Sequence, residues 1–97
     1  MILGRVVGEL WATRRHAGLD GQKLLIVKPH GLYNPPFDVA HLVAVDRLGA
    51  GLGEDVVVCM GDPARRSLGS TWLPVDAAVM AIVDRIDVSA GGGTAEG

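Results

Sequence analysis

The chain has 97 residues, of which 48% are hydrophobic and only 4% aromatic, and its formal net charge is −2. This length predicts one small domain with a marginal core, and the hydrophobic content excludes a disordered chain. The acidic balance argues against a protein held to nucleic acid by a basic surface, and no apolar run approaches the roughly 18 residues of a membrane-spanning helix.

The first predicted element is a long strand, Ile2 to Thr13. One face of it is small and apolar, which suits the interior of a barrel, and consists of Ile2, Gly4, Val6, Gly8, Leu10 and Ala12. The other face mixes charged side chains with Leu3, Val7 and Trp11. The charged residues Arg5 and Glu9 occur too close to the N-terminus for a signal peptide, so we expect a soluble protein.

Three more strands are predicted after a turn that ends in Asp20-Gly21. They run from Lys23 to Lys28, from Ala40 to Asp46 and from Asp55 to Met60, with a proline-rich loop from Pro29 to Phe37. The only cysteine, Cys59, lies in the last of these strands, where we expect it to behave as a small hydrophobe in a reducing cytosol.

The C-terminal third is less regular. A helical turn is expected near Asp62-Pro63, because Asp caps helices and Pro is tolerated at their first position. From Val75 to Ile86 the apolar residues follow helical spacing, so periodicity alone predicts a helix there. Residues 89–97 are small, polar and glycine-rich and predict a flexible tail. Together these elements predict a mainly β fold, a small OB-like five-stranded β-barrel with one or two short helical turns.

The segment between the third and fourth strands is the most informative. Gly49, Gly51 and Gly53 alternate in it, so the backbone must adopt positive φ or let another backbone come close. A dinucleotide-binding loop has similar spacing but requires a helix after it. Here Glu54 and Asp55 lead into a short β-branched run instead, which predicts a packed loop between two strands.

Catalytic and metal-binding chemistry is sparse. The three histidines, His16, His30 and His41, lack metal-ligand spacing and convergent partners. We therefore predict no catalytic residue, no metal site and no cofactor.

Three carboxylates lie at or near the ends of apolar segments, namely Asp46, Asp76 and Asp84. At such positions a carboxylate accepts backbone N–H groups, so we expect structural roles, with Asp76 in the first turn of a closing helix.

Two basic groups, residues 14–16 and 65–66, raise an alternative function. An OB-like barrel with such groups suits a module that binds nucleic acid or an anionic ligand. That function requires a basic groove with several stacking aromatic side chains, whereas this acidic chain has only Trp11, Tyr33, Phe37 and Trp72.

Four blocks occur in the order of the EutN/CcmL family, which the chain resembles. They are ILGRVVGELWATRRH from Ile2, LDGQKLLIVKP from Leu19, LGAGLGE followed by a strand and GDPAR from Leu48, and PVDAAVMAIVD from Pro74. The chain departs from the family at Asp62-Pro63, where two serines are usual, and in its proline-rich loop.

The resemblance implies a vertex domain over residues 1–88 that forms a homopentamer without a catalytic centre. Such a ring caps the vertices of a bacterial microcompartment in the cytoplasm, and its partners are hexameric and trimeric shell proteins rather than membranes or nucleic acid. It also implies a helical turn at 75–80 and a final strand at 82–88.

The resemblance implies a role for one further set of residues. It indicates that the subunit interface or pore loop consists of Gly49, Ala50, Gly51, Leu52 and Gly53. Glu54 and Arg65 are candidates for a polar pair across the subunit boundary.

Overall fold

The structure is a computed structural model of a single chain. It describes residues 1–11, 17–19, 21–31, 40–69, 76–87 and 89. Its five strands are β1 (Ile2–Glu9), β2 (Lys23–Pro29), β3 (Leu42–Asp46), β4 (Asp55–Met60) and β5 (Ala77–Val83). A 3-10 turn at Ala17–Leu19 and one α-helix, α1 (Asp62–Ser67), complete the described elements.

The strands close into a barrel in the order β1-β2-β3-β5-β4. All neighbouring strands are antiparallel except β3 and β5, which pair in parallel at Val45 and Ala78. Closure of the sheet satisfies the backbone groups that an open edge would expose. The predicted five-stranded OB-like barrel with short helical turns is therefore confirmed.

The barrel interior is filled by alternate side chains of every strand. Its largest fully buried members are Ile2, Val6, Leu25, Val27, Val56 and Val58. The face of β1 predicted to point inward does so at Ile2, Gly4 and Val6. Gly4 has a steric reason to be glycine, because a Cβ there would lie 2.5 Å from Val27 Cγ1 and 2.8 Å from the carbonyl oxygen of Lys28.

A second apolar cluster lies on the outer face of the barrel, beneath α1. Its strand residues pair as one row across four strands in the order Leu24, Val45, Ala78 and Cys59. Ala64 and Leu68 cover this row. The thiol of Cys59 is buried in the cluster, in keeping with its predicted behaviour as a small apolar side chain.

The closing segment is a strand, so the helix predicted over 75–86 is wrong in the described part. The alternative, a helical turn at 75–80 followed by a strand at 82–88, is wrong as well, because β5 already begins at Ala77 and ends at Val83. Ala77, Ala78 and Val79 are buried in succession, since the barrel core covers one face of β5 and α1 covers the other. Burial on both faces removes the alternation that identifies a strand.

Other predicted boundaries also shift. β1 ends at Glu9 rather than Thr13, and β3 begins at Leu42 rather than Ala40. At α1 the capping residue is Gly61, with φ 70° and no side-chain cap, so the predicted cap by Asp62 is wrong. Asp62 instead accepts a hydrogen bond from Arg65 Nη1 at 2.7 Å.

Several predicted features lie outside the described residues. They are residues 13–16 and 20 of the turn region predicted at 13–21, most of the proline-rich loop and nearly all of the C-terminal tail. Within the described ranges, no helix is long and apolar enough to cross a membrane.

We expect Gly4→Ala to destabilise the barrel by about 1–3 kcal/mol, because the added methyl group meets backbone atoms that cannot yield. Gly8→Ala on the same strand is the control: its Cβ would lie 3.4 Å from the movable Cδ1 of Ile26, so stability should change by less than about 1 kcal/mol. Urea unfolding at one fixed protein concentration measures both. Equal midpoints for the two variants would contradict the steric explanation.

Candidate functional site

The glycine loop, residues 47–54, joins β3 to β4 and is organised by one carboxylate. Asp46 ends β3 with a side chain that is 0% exposed. Its Oδ1 accepts the Leu48 N–H at 2.9 Å, and its Oδ2 accepts the Ala50 N–H at 2.8 Å. The predicted role of Asp46, to accept backbone N–H groups, is therefore confirmed.

Lys23 supports this carboxylate from the start of β2. Its Nζ lies 3.6 Å from Asp46 Oδ2 and donates a hydrogen bond of 2.8 Å to the carbonyl oxygen of Ala50. Ala50 is itself fully buried and belongs to the cluster inside the barrel. The first half of the loop is thus held by a buried methyl group, two backbone N–H contacts to one carboxylate and one ammonium.

The second half of the loop is held by Glu54 and by β1. Glu54 Oε1 accepts the Gly51 N–H at 2.8 Å, and the Glu54 N–H donates to the Gly51 carbonyl oxygen at 3.1 Å. Gly53 N–H donates to the Val6 carbonyl oxygen, and the Val6 N–H donates to the Glu54 carbonyl oxygen, each at 2.9 Å. These bonds dock the loop on the strand that neighbours β4.

The three glycines of the loop have different reasons to be glycine. Gly49 has φ +88° and Gly53 has φ +82°, a region that other residues rarely adopt. Gly51 has an ordinary φ, and a Cβ there would approach only Glu54 Oε1, at 3.4 Å. The conformation of the single chain therefore explains Gly49 and Gly53 but does not require glycine at position 51.

The loop presents two leucines to solvent. Leu48 is 52% exposed and Leu52 is 66% exposed, although the backbone on either side of them is hydrogen-bonded. Exposed apolar side chains on a well-supported loop are typical of a contact with another protein.

The candidate pair of Glu54 and Arg65 is engaged elsewhere within one chain. Glu54 binds the backbone of Gly51, and Arg65 pairs with Asp62. A pair between subunits involves a second copy of the chain, so it stays a prediction.

The other two predicted carboxylate roles differ from expectation. Asp76 precedes β5 instead of lying in a helix, and its carbonyl oxygen accepts the Gly61 N–H at 2.7 Å. Asp84 follows the end of β5 and is exposed.

A partly buried ion cluster beside the glycine loop was missed by the sequence analysis. Asp55 Oδ1 lies 2.7 Å from His30 Nε2 and accepts a hydrogen bond from Arg5 Nε at 3.1 Å. The His30 side chain is only 4% exposed. Arg5 and Asp55 are cross-strand partners on β1 and β4, so only the register of the barrel reveals the cluster.

The cluster lowers the pKa of Asp55. Burial alone would raise the pKa of this carboxyl, but the hydrogen bonds from His30 and Arg5, together with the charge on Arg5, outweigh burial. The carboxylate form of Asp55 therefore ties β1, β4 and the segment after β2 together. Across the described part of the chain, no group of three or more His, Cys, Asp or Glu side chains is arranged to hold a metal ion.

Comparison with known proteins gives a consistent result. The family model described as "Ethanolamine utilisation protein EutN/carboxysome" matches residues 1–84. The chain is 41% identical over 87 residues to the bacterial microcompartment shell vertex protein GrpN of Rhodospirillum rubrum, covering 90% of this chain and 97% of that protein. It is 44% identical over 89 residues to the shell vertex protein EutN of Escherichia coli K12, covering 89% and 90%.

Solved structures agree with the sequence relatives. The pentameric microcompartment shell protein GrpN from Rhodospirillum rubrum superposes with a TM-score of 0.75 at 40% identity, covering 91% of this chain and all of that one. CcmL from Gloeobacter violaceus superposes with a TM-score of 0.76 at 36% identity, covering 91% and 90%.

We expect Asp55→Asn to destabilise the protein by about 1–3 kcal/mol at pH 7, because buried His30 and the partly exposed Arg5 lose their charged acceptor. Since the folded-state pKa of Asp55 is lowered, its stabilisation is complete above the unfolded-state pKa of about 4 and is lost as pH falls through the folded value. Urea unfolding at neutral and acid pH should show the two proteins converging in acid.

Asp87→Asn is the matched control, because Asp87 pairs with Arg85 on the exposed surface. Its effect on the free energy of unfolding should be small at either pH. A gap between wild type and Asp55→Asn that stays constant down to the acid limit would contradict the assigned role of Asp55.

Proposed function

The chain belongs to the EutN/CcmL family, and from this membership we propose that it is a vertex protein of a bacterial microcompartment shell, acting as a homopentamer. The observation that carries this function is how much of a known vertex protein the chain covers. The chain accounts for 97% of the vertex protein GrpN in sequence and for all of the solved pentameric GrpN subunit in structure. A single barrel of this size therefore corresponds to nearly the entire length of that relative.

The function of such a ring is geometric. A sheet tiled by six-fold subunits is flat, and a closed polyhedral shell needs five-fold units at its corners. A ring of five identical subunits forms through heterologous interfaces, in which one face of a subunit meets a different face of the next. The rotation between neighbours closes the ring and supplies the curvature.

The protein acts without catalysis in this proposal. The cluster of His30, Asp55 and Arg5 has a structural role in this proposal, because its members join three segments of the barrel and these contacts account for the lowered pKa of Asp55. The partners of the ring are hexameric and trimeric shell proteins along its edges. The location is the microcompartment within the bacterial cytoplasm.

The glycine loop is proposed to face a neighbouring subunit, at the ring interface or the central opening. Two observations support this role. Position 51 is glycine although the single chain leaves room for a Cβ, and Leu52 is exposed on a backbone that is fixed on both sides. Close approach of another backbone is a physical reason for glycine at such a position.

The first test is the mass of the native protein and of Gly51→Val. We expect wild type to have five times the 10.1 kDa mass of the chain in native mass spectrometry, without bound polynucleotide. Gly51→Val should give a folded monomer, because the side chain blocks the approach of the neighbour. A wild-type monomer that shifts on adding an oligonucleotide would instead favour the nucleic-acid module.

Gly31→Val is the control for this test. Gly31 also has an ordinary φ, and among the described residues, its chain neighbours aside, no heavy atom would lie within 4 Å of a Cβ at this position. It should leave the mass unchanged. If Gly51→Val keeps the wild-type mass, the assignment of the loop to a subunit contact fails. The vertex function is tested separately, by whether the wild-type protein is a pentamer.

The second test concerns Arg65. We expect Arg65→Glu to shift the dissociation of the ring to higher protein concentration, because it places like charges on the proposed Glu54 pair. Asp62→Asn is the control, since it removes the exposed intrachain partner of Arg65 but leaves the positive charge of Arg65 in place. Unchanged dissociation of Arg65→Glu in analytical ultracentrifugation would remove Arg65 from the interface.

A further inference from the structure

An apolar groove opens on the outer face of β2 and β3. Its volume is about 260 Å³, and its walls come from Leu10, Leu24, Val43, Val45, Asp76 and Ala77. A cavity of about 150 Å³ lined by apolar side chains is large enough for a benzene ring. The groove therefore has room for one large apolar side chain.

The groove is incomplete in a single chain. Leu24 and Val45 are buried at its floor, whereas Val43 is 46% exposed at its wall. Leu10 at the rim is also exposed. A half-exposed apolar wall above a buried floor is the surface that a partner side chain would cover.

The most exposed leucine of the described residues projects from a different side of the barrel. Leu52 precedes Gly53 and Glu54, whose backbone groups bond to Val6 of β1. It therefore lies towards β1 and β4, whereas the groove lies over β2, β3 and the start of β5. A heterologous ring requires this arrangement, a projecting group and a receiving surface on different sides of one subunit.

We propose that Leu52 of each subunit inserts into the groove of the next subunit, and that this contact is the apolar centre of the ring interface. The proposal rests on the proposed pentamer and names the two faces that join in it. A second copy of the chain supplies both an exposed leucine and an open groove at every contact of a ring. Residues of the groove and of the loop are then buried together on assembly, which explains their exposure in one chain.

Two single variants and their mixture test the contact. Leu52→Glu removes the projecting group, and Val43→Glu places a charge in the groove. Both residues are exposed, so each variant should keep the circular dichroism spectrum and tryptophan fluorescence of a folded barrel. In native mass spectrometry each variant alone should fall five-fold in mass to a monomer.

An equal mixture of the two variants should form a heterodimer and nothing larger. The Val43→Glu chain carries an intact Leu52, and the Leu52→Glu chain carries an intact groove, so one native contact forms and the ring cannot continue. Met80→Glu is the matched control, because Met80 is an apolar residue of β5 that is 43% exposed and belongs neither to the glycine loop nor to the groove, and this variant should stay pentameric.

Other outcomes separate this proposal from the proposed function. If wild type is a pentamer and either Leu52→Glu or Val43→Glu remains one, the contact is wrong while the vertex function stands. Dissociation by Met80→Glu as well, or a mixture that stays monomeric, also overturns the pairing of Leu52 with the groove. A wild-type monomer would instead reject the pentamer on which the proposal rests.

Discussion

The buried carboxylate of Asp46 is the constraint on which the rest of this structure depends. It removes a negative charge from water, which is tolerable only because two backbone N–H groups and the Lys23 ammonium surround it. Those same contacts force the chain to turn at the end of β3 and place Ala50 in the core. The exposed part of the glycine loop is therefore anchored to the barrel, which is the property that a repeated contact surface requires.

The sequence predicted the fold well where local pattern and tertiary burial agree. On β1, the small and apolar face was correctly predicted to point inward as far as Val6, whereas Leu10, which follows the register shift between Val6 and Gly8, is exposed. The glycine loop was correctly interpreted as a connection between strands. Prediction failed at β5, because Ala77, Ala78 and Val79 are covered on both faces and their spacing imitates a helix. Local pattern carries no information on how many sides of a strand are covered.

The candidate site was predictable only in part, for a related reason. Asp46 was identified from its place at the end of an apolar segment, since a carboxylate in that position has nearby N–H groups to accept. The cluster of Arg5, His30 and Asp55 was not, because its members are 25 and 50 residues apart and meet only through the barrel register. The groove on β2 and β3 is likewise a product of strand order, which no short motif encodes.

The parallel pairing of β3 with β5 has a consequence for how subunits behave. These two strands share one paired position, Val45 with Ala78, whereas the antiparallel neighbours share four or more. Hydrogen exchange of backbone amides should accordingly be fastest where β3 pairs with β5, because this is the part of the barrel that opens most readily. The same two strands also line the groove, through Val43, Val45 and Ala77. A neighbouring subunit bound in the groove would therefore stabilise the pairing of β3 with β5. Folding of the monomer and closure of the ring would then be thermodynamically linked, each reinforcing the other.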